Sequence, residues 1–241
     1  HLPQLEARLV VHMIAALIFD FDGLLVDTET PAFESWRTLY AEHGYDLTLD
    51  LWKDSLGTSH GFDPLAHLAV LLGRSLDRDG LLARRMESKR TLSAEQPLLP
   101  GARAILDQAR TLGLPCAVAS SSDRVWVEGW LSLHNIIDYF ICLRTADDVA
   151  MTKPAPDLFL GAAACLGVDP AACLVFEDSP NGILAARAAG MRCVAIPGAI
   201  TRQLLMPPAD LVLDSLDAVP LAEIIEMIAR TSYQAACHNA D

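Results

Sequence analysis

Asp20 and Asp22 close an apolar run in the stretch LIFDFDGLLVDTET, Leu17 to Thr30. Their alternation with Phe19 and Phe21 sends both carboxylates to the same side of an extended chain, and Gly23 allows close backbone approach behind them. Two acids this near a buried strand are costly unless something positive sits between them. A metal ion, a phosphate-binding lysine or both would serve. A lone aspartate would read as a helix cap or a solvated turn, but the pair reads as a functional site. Leu24 falls at the third oxygen-bearing position of an EF-hand loop and excludes one; no GxxxxGK[ST] run exists, which excludes a P-loop.

Three further groups carry chemistry. Ser120, followed by Ser121, Ser122 and Asp123, ends a second apolar run, where hydroxyls and the following N–H groups can hold phosphate oxygens; one of the serines is also expected to cap the next helix. Lys153, in TKPAPDLF, precedes a helix begun by proline, and two prolines stiffen the chain that aims it. It offers the best local positive charge for a phosphate. Glu177 and Asp178 end CLVFED and stand just before a Ser179-Pro180 helix start. On neighbouring parallel strands, Asp20, Asp22 and Asp178 would meet, and an all-oxygen ligand set calls for a hard cation, Mg²⁺ above all.

The elements that must position these groups follow from apolar periodicity. AALIFD, PCAVAS, YFICL, CLVFED, RCVAIP and ADLVLD read as six short strands, alternating after Pro100 with helices bracketed by Gly101 and Gly113, Pro156 and Gly167, and Ser179 and Gly190. The fold class this predicts is α/β, a doubly wound, Rossmann-like parallel sheet, with helix starts gathered at its carboxyl edge. Pro31 to Leu98 breaks the alternation: PAFESWRTLYAEHG, FDPLAHLAVLLG and RDGLLARRMESKRTL read as amphipathic helices, a cap inserted over the edge that bears Asp20. The expected organisation is a core of residues 13–30 and 99–230, a cap of 31–98, and extensions 1–12 and 231–241, the tail TSYQAACHNAD being loose.

The chain has 241 residues, enough for one domain with a sizeable insertion. Its 18 basic and 31 acidic residues leave a net charge of -13, which disfavours nucleic acid and anionic membranes. A phosphate ligand must therefore be held by local positive groups. Six cysteines, without metal-binding spacing, are expected to be reduced and structural, as in a cytoplasmic protein. No apolar stretch is long enough to span a membrane, and no secretion signal is evident. Nothing suggests an obligate partner, so a monomer is expected.

Taken in order, DFDGLLVDTE, VASSS, KPAPD and FEDSPNGI resemble the four motifs of the haloacid dehalogenase superfamily, in the branch with a helical cap after the first motif, which contains β-phosphoglucomutase and many sugar-phosphate phosphatases. The resemblance spans about Ile14 to Ile228. It implies Asp20 as the nucleophile of an aspartyl-phosphate and Asp22 as the acid and base, with a proton affinity raised by the neighbouring carboxylates. It further implies Ser120, Ser121 and Lys153 on the phosphoryl group. Mg²⁺ would be held by Asp20, the backbone carbonyl of Asp22 and Asp178, with Glu177 adjacent.

The presence of Asp22 disfavours dehalogenation, since halide leaves without a proton. The inserted cap disfavours a phospho-accepting receiver and favours an enzyme that encloses a small phosphate ester. Relatives of the mutase type carry a histidine just after the first motif and a cap arginine for a distal phosphate; here Ala32 and His60 stand in those places. Hydrolysis is therefore the expected reaction and phosphosugar mutation the alternative. His60 is a candidate substrate contact, whereas Lys53, Arg84 and Lys89 read as ordinary surface charges.

Overall fold

The computed structural model describes residues 14–52 and 62–238, with side chains described as far as 231. The chain begins with β1 (Ala16–Phe19) and passes into four helices, α1 (Glu29–Glu42), α2 (Leu49–Trp52), α3 (Pro64–Leu72) and α4 (Arg78–Ala94). Alternation then sets in: α5 (Ala102–Thr111), β2 (Cys116–Ala119), α6 (Arg124–Leu133), β3 (Phe140–Arg144), α7 (Asp157–Leu166), β4 (Cys173–Glu177), α8 (Pro180–Ala188), β5 (Arg192–Ala195), β6 (Leu211–Val212) and α9 (Leu221–His238). All six strand readings are met, in one sheet of order β3-β2-β1-β4-β5-β6 whose neighbours are all parallel. This is the Rossmann-like order, and its reversal beside β1 opens a crevice at the carboxyl edge.

Period-two alternation decides which residues face which layer. Leu17 and Phe19 of β1 pack with α5, α6 and α9, while Ala16 and Ile18 pack with α7 and α8. Phe19 stacks on Phe176 of the adjacent β4 at 4.9 Å between centroids, and the two residues are register partners. The strands beneath the site are buried on both faces, which accounts for their continuous apolar runs. The helices between β1 and α5 have a cluster of their own, built on Phe33, Trp36, Tyr40, Trp52, Leu65 and Leu68, which Ile200 joins from the far side of the crevice.

Local chemistry sets the helix ends. Asp63 caps α3 by accepting from the N–H groups of Leu65 and Ala66, Gly73 closes it at φ 63°, and Ser179 caps α8 by accepting from the Gly182 N–H. At α6 the cap is Asp123, which accepts from the Trp126 N–H at 2.7 Å, and not a serine as the sequence suggested. The serines turn toward the site instead.

Two other expectations are corrected. The tail read as loose continues α9 to His238; its final turns lack the apolar spacing that signals a helix, and the well-patterned first turns carry them. Cys142 and Cys165, read as reduced, form a disulfide, because β3 and α7 pack with their Cα atoms 6.7 Å apart. Cys116, Cys173 and Cys193 are free and buried. Among the described residues, no helix is long and apolar enough to cross a membrane.

Candidate active site

The carboxyl ends of β1, β2 and β4 and the loop before α7 converge on a cavity of about 420 Å³. Asp20, Asp22, Ser120, Ser121, Lys153, Glu177 and Asp178 all line it, so one place gathers every described catalytic, phosphate-binding and metal-binding candidate from the sequence. His60 and Lys53 lie outside the described residues. The far wall comes from the inserted helices: Trp36 and Ala32 of α1, Trp52 of α2, Arg85 and Lys89 of α4.

Asp20 is buried at the tip of β1, and its backbone N–H donates to the Phe176 carbonyl at 3.0 Å. The Lys153 ammonium, itself buried, donates to Asp20 Oδ1 and, at 2.6 Å, to Glu177 Oε1. Burial disfavours a charged lysine, but these two carboxylates outweigh it and raise its proton affinity. Glu177 also accepts from the Ser179 N–H at 2.7 Å and its hydroxyl at 2.9 Å, at the start of α8.

Asp20, Glu177 and Asp178 are buried and offer oxygens within 4.8 Å of one another. Burial raises the proton affinity of Asp20, and Lys153 only partly offsets it; burial with repulsion from Glu177 and Asp20 does the same to Asp178. Buried carboxylates clustered this closely are a donor set suited to a hard cation. The backbone makes room for the set: a Cβ on Gly23, whose φ is 79°, would come 2.3 Å from Asp178 Oδ2, and one on Gly182 would come 1.7 Å from Glu177 Oε1.

Asp22 departs from expectation. Its carboxylate accepts from the Thr28 hydroxyl at 2.6 Å, the Ser122 hydroxyl at 2.6 Å, the Trp126 indole N–H at 2.9 Å and the Ser120 hydroxyl at 3.2 Å. Burial pushes its pKa up, but the Lys89 charge and the three stronger hydrogen bonds outweigh that and hold it below the usual carboxylate range. Repulsion from neighbouring acids was expected to dominate and does not. The Asp22 side chain also stands outside the acidic triad, its lone pairs taken by donors.

The family model of the haloacid dehalogenase-like hydrolases matches residues 14–190. The chain belongs to the haloacid dehalogenase-like hydrolases. Among curated members of this hydrolase family, YhcW of Bacillus subtilis is 43% identical over 214 residues, covering 89% of this chain and 97% of its own. Hexitol phosphatase B of Escherichia coli is 33% identical over 186 residues, covering 76% and 84%. The crystal structure of CbbY from Rhodobacter sphaeroides in complex with phosphate superposes with a TM-score of 0.70 at 30% identity, covering 87% of this chain and 98% of that one. The haloacid dehalogenase family generally uses Mg²⁺, and the buried triad supplies oxygens for such an ion.

Several site residues of this hydrolase escaped the sequence reading. Thr28 and Glu29 follow Asp27 in the first motif and could have been found there. Burial pushes the Glu29 carboxyl up to about 7 despite Lys89 and Arg85. Thr201, whose hydroxyl donates to Asp178 at 3.2 Å, and Trp126 carry no motif signal. Arg85 packs on Trp36 at 5.0 Å, and its buried Nε finds no hydrogen-bond partner among the described residues. Lys89, read as a surface charge, instead sits 4.2 Å over the Trp126 ring; Arg84 is an exposed partner of Glu42, as a surface charge should be.

Proposed function

We propose that this chain is a Mg²⁺-dependent phosphatase of a small phosphorylated metabolite, a sugar phosphate, working through an aspartyl-phosphate on Asp20. The observation that carries the reading is the placement of Asp20: a buried carboxylate touching Lys153, beside Glu177 and Asp178, at the floor of a cavity roofed by helices. In the proposal residues 31–98 are the cap domain over a core of 13–30 and 99–230. The similarity to hexitol phosphatase B supports the substrate class.

Asp20, Asp178 and Glu177, with the Asp22 backbone carbonyl, would hold the cation, which when bound supplies positive charge against the repulsion between carboxylate and phosphate. Lys153, Ser120 and Ser121 hold the phosphoryl oxygens in line with Asp20. A carboxylate oxygen of Asp20 forms the new bond to phosphorus as the ester oxygen departs, and Asp22 gives that oxygen its proton. Asp22 is held as a carboxylate in the structure described; a phosphate dianion beside it favours the protonated form. After the sugar leaves, Asp22 takes a proton from the water that attacks the aspartyl-phosphate. Splitting the displacement in two lowers each barrier.

Hydrolysis is preferred to phosphosugar mutation because Ala32, buried on the cavity wall, stands where mutase-like relatives carry histidine. A monomer in the cytoplasm, where charged phosphate esters are retained, completes the reading.

Phosphorus NMR with Mg²⁺, β-glucose 1-phosphate, a trace of glucose bisphosphate and a panel of sugar phosphates tests it. Release of inorganic phosphate from one or more esters, abolished by Asp20→Asn, is expected. Conversion of glucose 1-phosphate to glucose 6-phosphate without release would make the protein a mutase. An undiminished rate in Asp20→Asn would overturn the mechanism.

A further inference from the structure

Trp126 occupies the first turn of α6, and its half-buried ring has three different neighbours. Its indole N–H donates to Asp22 Oδ1 at 2.9 Å. The ring pairs with the buried Trp130 at 5.2 Å and 73°, a T-shaped contact, so the core fixes its orientation. The ring also meets the Lys89 ammonium, 4.2 Å from the ring centroid, which comes from α4 in the inserted helices. A cation over an indole at this distance is an attractive contact.

The other donors to Asp22 come from the core alone: Thr28 precedes α1, and Ser120 and Ser122 follow β2. Asp22 Oδ1 therefore sits between a hydroxyl from the β1 side and an indole that also touches the cap. A buried indole N–H needs a partner in any setting; here that partner is a carboxylate on the cavity wall.

We infer that Trp126 is a positioning residue for Asp22, and that Lys89, by stacking on its ring, makes seating of helix α4 part of that positioning. This rests on Asp22 as the proton donor of the proposed reaction. In that step the P–O ester bond breaks, its electron pair stays on the ester oxygen, and the proton of the Asp22 carboxyl goes to that oxygen. A misaimed Asp22 slows the step in proportion to how badly the leaving group needs the proton. A nitrophenolate needs it little and a sugar alkoxide needs it most.

The test compares kcat/KM, which reports the first irreversible step, for p-nitrophenyl phosphate, phenyl phosphate and glucose 6-phosphate in wild type, Trp126→Phe, Lys89→Gln and Asp22→Asn. General acid catalysis contributes roughly 10²–10⁴-fold. For Trp126→Phe, which keeps the ring over which Lys89 sits, a loss of about 10- to 100-fold is expected on the esters with poor leaving groups, within that range. The rate on p-nitrophenyl phosphate should stay near wild type. Lys89→Gln, at a half-exposed position where folding is not at risk, should show a smaller loss of the same selectivity.

Equal losses on all three esters in both variants would make Trp126 merely structural and overturn the inference. If Trp126→Phe does not fold, Lys89→Gln decides: selective loss supports the link, and unchanged rates overturn it. Asp22→Asn separates the two levels of the argument. Selective loss there without selective loss in the Trp126 and Lys89 variants defeats the positioning role alone. Absence of selectivity in Asp22→Asn defeats the reading of Asp22 as the acid, and the inference with it.

Discussion

Gly182 shows how little slack the site residues have. It is the third residue of α8, and a Cβ there would lie 1.7 Å from Glu177 Oε1 and 1.8 Å from its carboxyl carbon. Glu177 cannot yield, since it is wholly buried and held by Lys153 and Ser179. Gly182→Ala is therefore expected to destabilise despite alanine's better helix propensity, by about 1–3 kcal/mol as for other overpacked cores. Chemical denaturation would measure it, and a stabilised variant would contradict the packing described. Lys153→Met is expected to cost more. It leaves Asp20 and Glu177 buried without their counter-ion, a loss of ~3–5 kcal/mol where one partner of a buried pair is removed. The phosphoryl group would also lose its lysine, so turnover should vanish together with stability; full turnover would exclude Lys153 from the chemistry.

At the scale of elements, what could be read from the sequence divides by range. Strands β1 to β6 and helices α5, α7 and α8 were legible because each carries its own signal: a short apolar run, then a cap or a left-handed glycine such as Gly167 at φ 68°. Asp20, Lys153, Glu177 and Asp178 were legible because polar residues end those runs. Trp126, Lys89, Arg85 and Thr201 were not, since their places depend on how α4 packs on α1 and brings Lys89 to α6, and how the segment after β5 folds back. Nor was the inward turn of the serines after β2, which depends on Asp123 taking the cap. Just after β3, Asp148 accepts from the Thr145 N–H at 2.8 Å and its hydroxyl at 3.0 Å and pairs with Arg124. Burial pushes its pKa up, but those donors and Arg124 together outweigh that and bring the net shift down. A depressed folded-state pKa means stability that is fully present above the unfolded value of about 3.9 and lost as pH falls through the folded value. Asp148→Asn should thus be less stable than wild type at neutral pH, and the difference should shrink below about pH 4. Urea titrations at several pH values would show it, and a gap that widens in acid would contradict the shift.

At the scale of the whole molecule, a net charge of -13 makes the acidic crevice a place of concentrated repulsion. Asp20, Glu177 and Asp178 bring three carboxylates within 4.8 Å, and Lys153 answers only part of their charge. Folding must gather these groups against their mutual repulsion, whereas the unfolded chain keeps them apart in water. A ligand that binds only the folded state stabilises it by RT ln(1 + [L]/Kd), about 2.7 kcal/mol when the ligand is at a hundredfold its Kd. For a chain of this size each kcal/mol moves Tm by ~2–4 °C. Saturating Mg²⁺ should therefore raise Tm by roughly 5–10 °C over the EDTA-treated protein. Asp178→Asn removes one charge from the cluster while keeping its shape, so the EDTA-treated variant should melt no lower than wild type and should gain much less from Mg²⁺. Differential scanning calorimetry of both proteins, with and without the ion, distinguishes a cation site from a cluster that merely tolerates its own charge: equal shifts in wild type and Asp178→Asn would place the ion elsewhere.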